Sequence, residues 1–140
     1  MYNFIQKMHS GWAYLVLLFL VIAVINAIIG LTSKKQFTPT DRKLGLFALI
    51  ATHVQLLVGL ILYFVSPFGK AAFGQMSDAA LRLTSLEHPL INIIAITLIT
   101  IGWSKHKKTE DSQSKFKLFT IFYGLGLILI LSRIPWSLWL

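Results

Sequence analysis

Four histidines are the side chains of this sequence best suited to chemistry at neutral pH, and three of them lie in or beside apolar runs. His9 stands in "MHSGW", His53 in "ALIATHVQLLVGLILYF" and His88 in "EHPL", whereas His106 is flanked by lysines. A neutral imidazole carries one lone-pair nitrogen, so it can ligate a metal without bringing charge into an apolar place. His106, among lysines, is expected to be solvated.

Other chemistries lack their residues. The chain has no cysteine, which removes disulfides, thiolate metal sites, iron–sulfur clusters and covalent c-type haem attachment. Walker loops, nucleotide-binding glycine patterns, HExxH and GxSxG are missing too. The five acids are Asp41, Asp78, Glu87, Glu110 and Asp111, all outside the uncharged runs. That placement argues against carboxylate catalysis and acidic proton relays within a membrane.

These histidines must be positioned by apolar helices. The 140 residues are 56% hydrophobic and only 13% charged, with a mean hydropathy of +0.72. Soluble domains are nearer half apolar and a quarter charged. Four runs read as membrane spans, at about 8–31, 44–66, 86–104 and 118–138, with the last extended outward past a snorkelling Arg133. Backbone in lipid must satisfy its own hydrogen bonds, so helices are expected. The fold class is therefore all-α: one antiparallel, up-down four-transmembrane-helix bundle over 1–140, in contact with the lipid bilayer.

Charge placement sets the expected orientation. Nine basic residues (Lys34, Lys35, Arg42, Lys43, Lys105, Lys107, Lys108, Lys115, Lys117) fall in or beside the first and third loops. Four (Lys7, Lys70, Arg82, Arg133) fall at the other end. By the positive-inside rule both termini and the second loop lie outside, in the periplasm of a bacterial inner membrane. Trp12, Trp136 and Trp139 would mark the outer interface and Trp103 the inner one. The net charge of +8 is then topology and lipid contact, and no nucleic-acid partner is expected.

Finer features follow from local patterns. Thr40 or Asp41 is expected to cap the second helix. Phe73, Met76, Ala80 and Leu83 suggest a short interfacial helix in the second loop. "TSLE" fits a capping box at the start of the third span, which would make His88 a mere helix-start residue beside Pro89. Small residues accompany the histidines on helical stripes: Ala13, Val16, Ala23 and Ala27 with His9, and Asn92, Ala95 and Gly102 with His88. Gly45, Ala48, Thr52 and Gly59 lie near His53. Such stripes let helices approach, or leave room for a flat macrocycle.

The segments "HSGWAYLVLL", "THVQLLVGLILYFVSP", "EHPLINIIAITLITIGWSK" and "LILILSRIPW" resemble a family of small bacterial four-helix membrane proteins labelled cytochrome b-like. One departure is Trp12 and Ala13 after "HSG", where a basic residue is often found. The resemblance implies a non-covalent haem b and a role in electron transfer or redox sensing. It matches His9, His53 and His88, and extends to a subunit of a membrane redox complex or a homo-oligomer.

Depth selects the ligand pair. At 1.5 Å per residue from the inner ends, His53 lies about 15 Å up, His88 about 23 Å and His9 about 33 Å. His53 and His88, about 8 Å apart in depth, are the preferred metal ligands, with tilt absorbing the difference. His9 with His88, about 10 Å apart, is the second workable pair, so His88 is common to both. His9 would bond a propionate or serve a second site, and Lys70, Arg82 and Arg133 would meet the propionates. The competing expectation is a cofactor-free scaffold whose histidines hydrogen-bond between helices. A haem- or quinone-processing enzyme ranks below both, for want of acid–base groups.

Overall fold

The computed structural model describes residues 1–139, so Leu140, at the end of the expected fourth-span extension, lies outside the described residues. Four helices are long and apolar enough to cross a membrane: α1 (Tyr2–Ser33), α2 (Pro39–Val65), α3 (Ala79–Lys107) and α4 (Ser112–Ser132). They form an antiparallel bundle in which α1 packs on α2 and α4, and α3 on α4 and α2. Large aliphatic and aromatic side chains cover its outside, among them Leu57, Phe64 and Ile128. A bilayer is the solvent that suits such a surface.

The helix ends explain the turns. Lys34 adopts a left-handed conformation (φ 55°) that closes α1. Thr38, not Thr40, caps α2: its side chain accepts from the Asp41 amide, and Asp41 returns the bond to the Thr38 amide. Pro39 follows in the first turn, where its missing N–H costs nothing. Asp78 caps α3 by accepting from Ala80 and Leu81 amides.

The second loop departs from expectation in two ways. A 3-10 turn spans Lys70–Ala72, and the helix beginning at Ala79 runs on into the third span instead of lying apart at the interface. Thr84 and Glu87 form no capping box. They sit within one π turn, Leu83–Glu87, where the His88 amide bonds the Leu83 carbonyl five residues back. Pro89 is the reason: it lacks an N–H and crowds the carbonyl four residues before it, and a widened turn relieves both. "EHPL" is therefore inside a helix, not at its start.

At the far end, α4 stops at Ser132 and a short helix, α5 (Trp136–Trp139), follows. The fourth span does not run unbroken to 138, because Pro135 disfavours helical backbone at Ile134. Trp139 Nε1 donates to the Ser10 carbonyl (3.2 Å), holding the chain's two ends at the same end of the bundle.

The half of the bundle away from the termini is densely packed. Leu20, Ile99, Phe116, Phe119 and Tyr123 are fully or almost fully buried there. Small residues make room for the rings: a Cβ on Gly45 would lie 2.6 Å from Phe119, and one on Gly102 2.6 Å from Phe122. His106 belongs to this packing, contrary to the expectation of a solvated residue. It is 2% exposed, donates from Nδ1 to the Trp103 carbonyl (2.6 Å), and lies between the Trp103 and Phe119 rings. Phe37 of the first loop folds over it.

Candidate functional site

The half nearer the termini is hollow. A cavity of about 300 Å³ opens there among α1, α2, α3 and the segment around α5. It lies at the lower end of the size range for ligand pockets, about 300–1,000 Å³. Its walls mix aliphatic side chains with Tyr2, Tyr63, Phe68 and Trp139 and with neutral polar groups, and no Asp, Glu, Lys or Arg is among the described residues lining it.

His9 and His88 meet in this cavity. Their ring centroids are 6.1 Å apart and their planes stand at 85°. His88 Nδ1 lies 2.9 Å from the Arg133 carbonyl, an acceptor only, and 3.2 Å from the Asn92 amide nitrogen. The shorter contact, with the Asn92 amide already donating to the His88 carbonyl, assigns the proton to Nδ1 and leaves Nε2 its lone pair. Asn92 donates to the His88 carbonyl at 2.6 Å, one turn away. The Arg133 carbonyl is free for this bond because the chain leaves the helix there. Neither His9 Nε2 nor His88 Nε2 has a hydrogen-bond partner among the described residues.

His9 is set by α2. Gln55 Nε2 donates to the His9 carbonyl at 2.7 Å, and Trp12 Nε1 donates to the Ala51 carbonyl at 2.8 Å. The His9 ring rests against Gly59, where an added Cβ would stand 3.0 Å from Cε1. Two buried side-chain atoms lack partners among the described residues, His9 Nδ1 and Gln55 Oε1.

His53 is elsewhere. Its exposed ring bonds back to the Leu49 carbonyl at 2.8 Å and touches Thr100 of α3 at 3.3 Å. Thr52, Gln55, Leu56 and Gly59 face the cavity, and one residue of rotation from Thr52 carries His53 to the outside. The expected His53–His88 pair is therefore not made; the pair brought together is His9 with His88. The face of the helix decides this, and depth alone does not report it.

The basic residues expected at the propionates also lie off the cavity wall. Glu87 holds both arginines, Arg82 at 3.0 Å and Arg133 at 3.7 Å. Lys70 lies over the Phe64 ring. This cluster, at the termini end of the bundle, sets two arginines against the single Glu87 carboxylate. Nothing in the sequence marked Gln55 as a partner of His9, and Asn92 was legible only as sharing a helical stripe with His88. The Arg133 carbonyl had no sequence signal beyond the nearby Pro135.

Two convergent imidazoles suit a metal that brings its own remaining ligands. Among the described residues no group of three or more His, Cys, Asp or Glu could hold a bare ion, and common protein metal sites need three or four such donors. A metal carried in a macrocycle would need fewer protein donors and a largely apolar cavity, and the two imidazoles and this lining are compatible with that. No family model, characterised protein or solved structure matches the chain.

Proposed function

We propose that this chain is a b-type haem protein of the bacterial inner membrane, in which His9 and His88 would hold the haem iron. It takes part in electron transfer or redox sensing, as a subunit of a larger complex or as a homo-oligomer. The observation that supports this most is the pair of imidazoles 6.1 Å apart in one cavity, with no hydrogen bond to either Nε2 among the described residues. Bound haem would supply one-electron chemistry there. The residues' part is to ligate, to exclude water through largely apolar walls, and to favour the iron state that their basicity suits.

The test is the visible spectrum of detergent-purified protein made with adequate haem supply. Reduced protein is expected to show the sharp bands of low-spin six-coordinate haem b. A colourless preparation would instead favour a cofactor-free scaffold, the reading that His53 supports by bridging α2 to α3 through Thr100.

We place the termini on the periplasmic side, on the strength of the lysine and arginine distribution. A periplasm-active reporter fused after Leu140 is expected to be active, and one inserted near Glu110 inactive. The opposite pattern would invert the bundle and put the cavity in the cytoplasmic half.

A further inference from the structure

An imidazole that gives its Nε2 lone pair to iron carries its proton on Nδ1. Metal-ligating histidines almost always donate that N–H to a carboxylate, carbonyl or water, which fixes the ring and raises its basicity. His88 does so to the Arg133 carbonyl. His9 Nδ1 is buried without a partner among the described residues. A buried donor left so costs about 1–3 kcal/mol, so a nearby acceptor is called for.

The side-chain acceptor that lacks a buried donor is Gln55 Oε1. It belongs to the same seam. Gln55 and Gly59 are one turn apart on α2; the His9 ring lies on Gly59, and the Gln55 amide already holds the His9 main chain. The terminal torsion of glutamine is broad and easily turned.

We propose that Gln55 is the positioning residue of His9, accepting the Nδ1–H bond on Oε1 when His9 Nε2 serves as a metal ligand. This rests on the haem reading above and deepens it. The two ligands then differ in a defined way. His88 is oriented by a main-chain carbonyl that no substitution removes, whereas His9 is oriented by a side chain. Gln55 is the position through which the donor strength of the pair is set.

The test compares wild type with Gln55→Leu and Gln55→Glu, each loaded with haem in detergent, by midpoint potential and by ferric low-spin electron paramagnetic resonance. Loss of the acceptor in Gln55→Leu weakens His9 most toward ferric iron. A roughly tenfold loss, at the low end of the effects of removing a ligand's hydrogen-bond partner, raises the potential by about 59 mV for a one-electron couple. Gln55→Glu supplies a stronger acceptor and is expected to lower it. Both variants lose the amide donated to the His9 carbonyl, so a merely structural role moves both the same way. Shifts in one direction, or none, overturn the proposal while leaving haem binding intact. A colourless wild type overturns the haem reading and this proposal with it. Should Gln55→Leu fail to fold, Gln55→Met, of similar length, takes its place.

Discussion

Alanine at His88, and alanine at His9, are each expected to abolish the low-spin haem spectrum, while His53→Ala leaves it unchanged. Each of the first two removes one of the two imidazoles whose ring centroids lie 6.1 Å apart in the cavity. Losing a hydrogen-bond partner of a ligand typically costs 10–100-fold in metal affinity, and losing the ligand itself costs more. His88→Ala is the more severe of the two, because it also frees the Arg133 carbonyl at the α4 terminus. His53 contributes one contact to Thr100 at 3.3 Å, at the edge of hydrogen-bonding range, from an exposed position. Its loss is expected to cost under about 1 kcal/mol. The measurement is the reduced-minus-oxidised spectrum, with a melting curve to show that each variant is folded. Retention of the spectrum in folded His9→Ala together with its loss in His53→Ala would restore the pairing chosen by depth.

That choice shows what the sequence carries and what it leaves out. Long uncharged runs are sufficient for four helices, since lipid leaves the backbone no other way to satisfy itself. Their order and short connections then make the bundle antiparallel. The stripes were legible as well. Val16, Ala23 and Ala27 are buried on the face of α1 that carries His9, and Ala48 and Thr52 on the inner face of α2. The α2 stripe already excluded His53, which is one residue off Thr52 and so about 100° around the helix. Depth along the membrane normal is a one-dimensional count, and it hid that rotation. Two other features were out of reach for different reasons. The π turn that absorbs Pro89 depends on the chain continuing as helix from Asp78, which local capping signals did not indicate. His106 looks solvated among lysines, and only the fold of Phe37 across the bundle end buries it.

At the end of the bundle remote from the termini, Asp41→Ala is expected to destabilise the fold by about 2–4 kcal/mol, by lost capping and unpaired polar groups. The Asp41 side chain is 2% exposed, yet both its oxygens are saturated. Oδ1 accepts from Asn26 of α1 at 2.9 Å and lies 3.1 Å from Lys35 Nζ. Oδ2 accepts from the Thr38 amide at 2.8 Å and the Thr38 hydroxyl at 2.9 Å, with Lys35 at 3.0 Å. One carboxylate thus caps α2, ties the first loop and anchors α1. Its removal strands the Asn26 amide between helices, where no water replaces the acceptor. Asp41→Asn keeps the shape but not the charge, and is expected to lose less. Thermal unfolding in detergent measures both, and a cycle with Asn26→Ala isolates their coupling. A change below about 0.5 kcal/mol for Asp41→Ala, the scale of an ordinary surface substitution, would refute this role. The haem spectrum of the folded fraction should not change, because Asp41 is at the end of α2 remote from His9 and His88. Stability is thereby separable from the site: the packed half of the bundle holds the helices in register, and the hollow half is left free to bind.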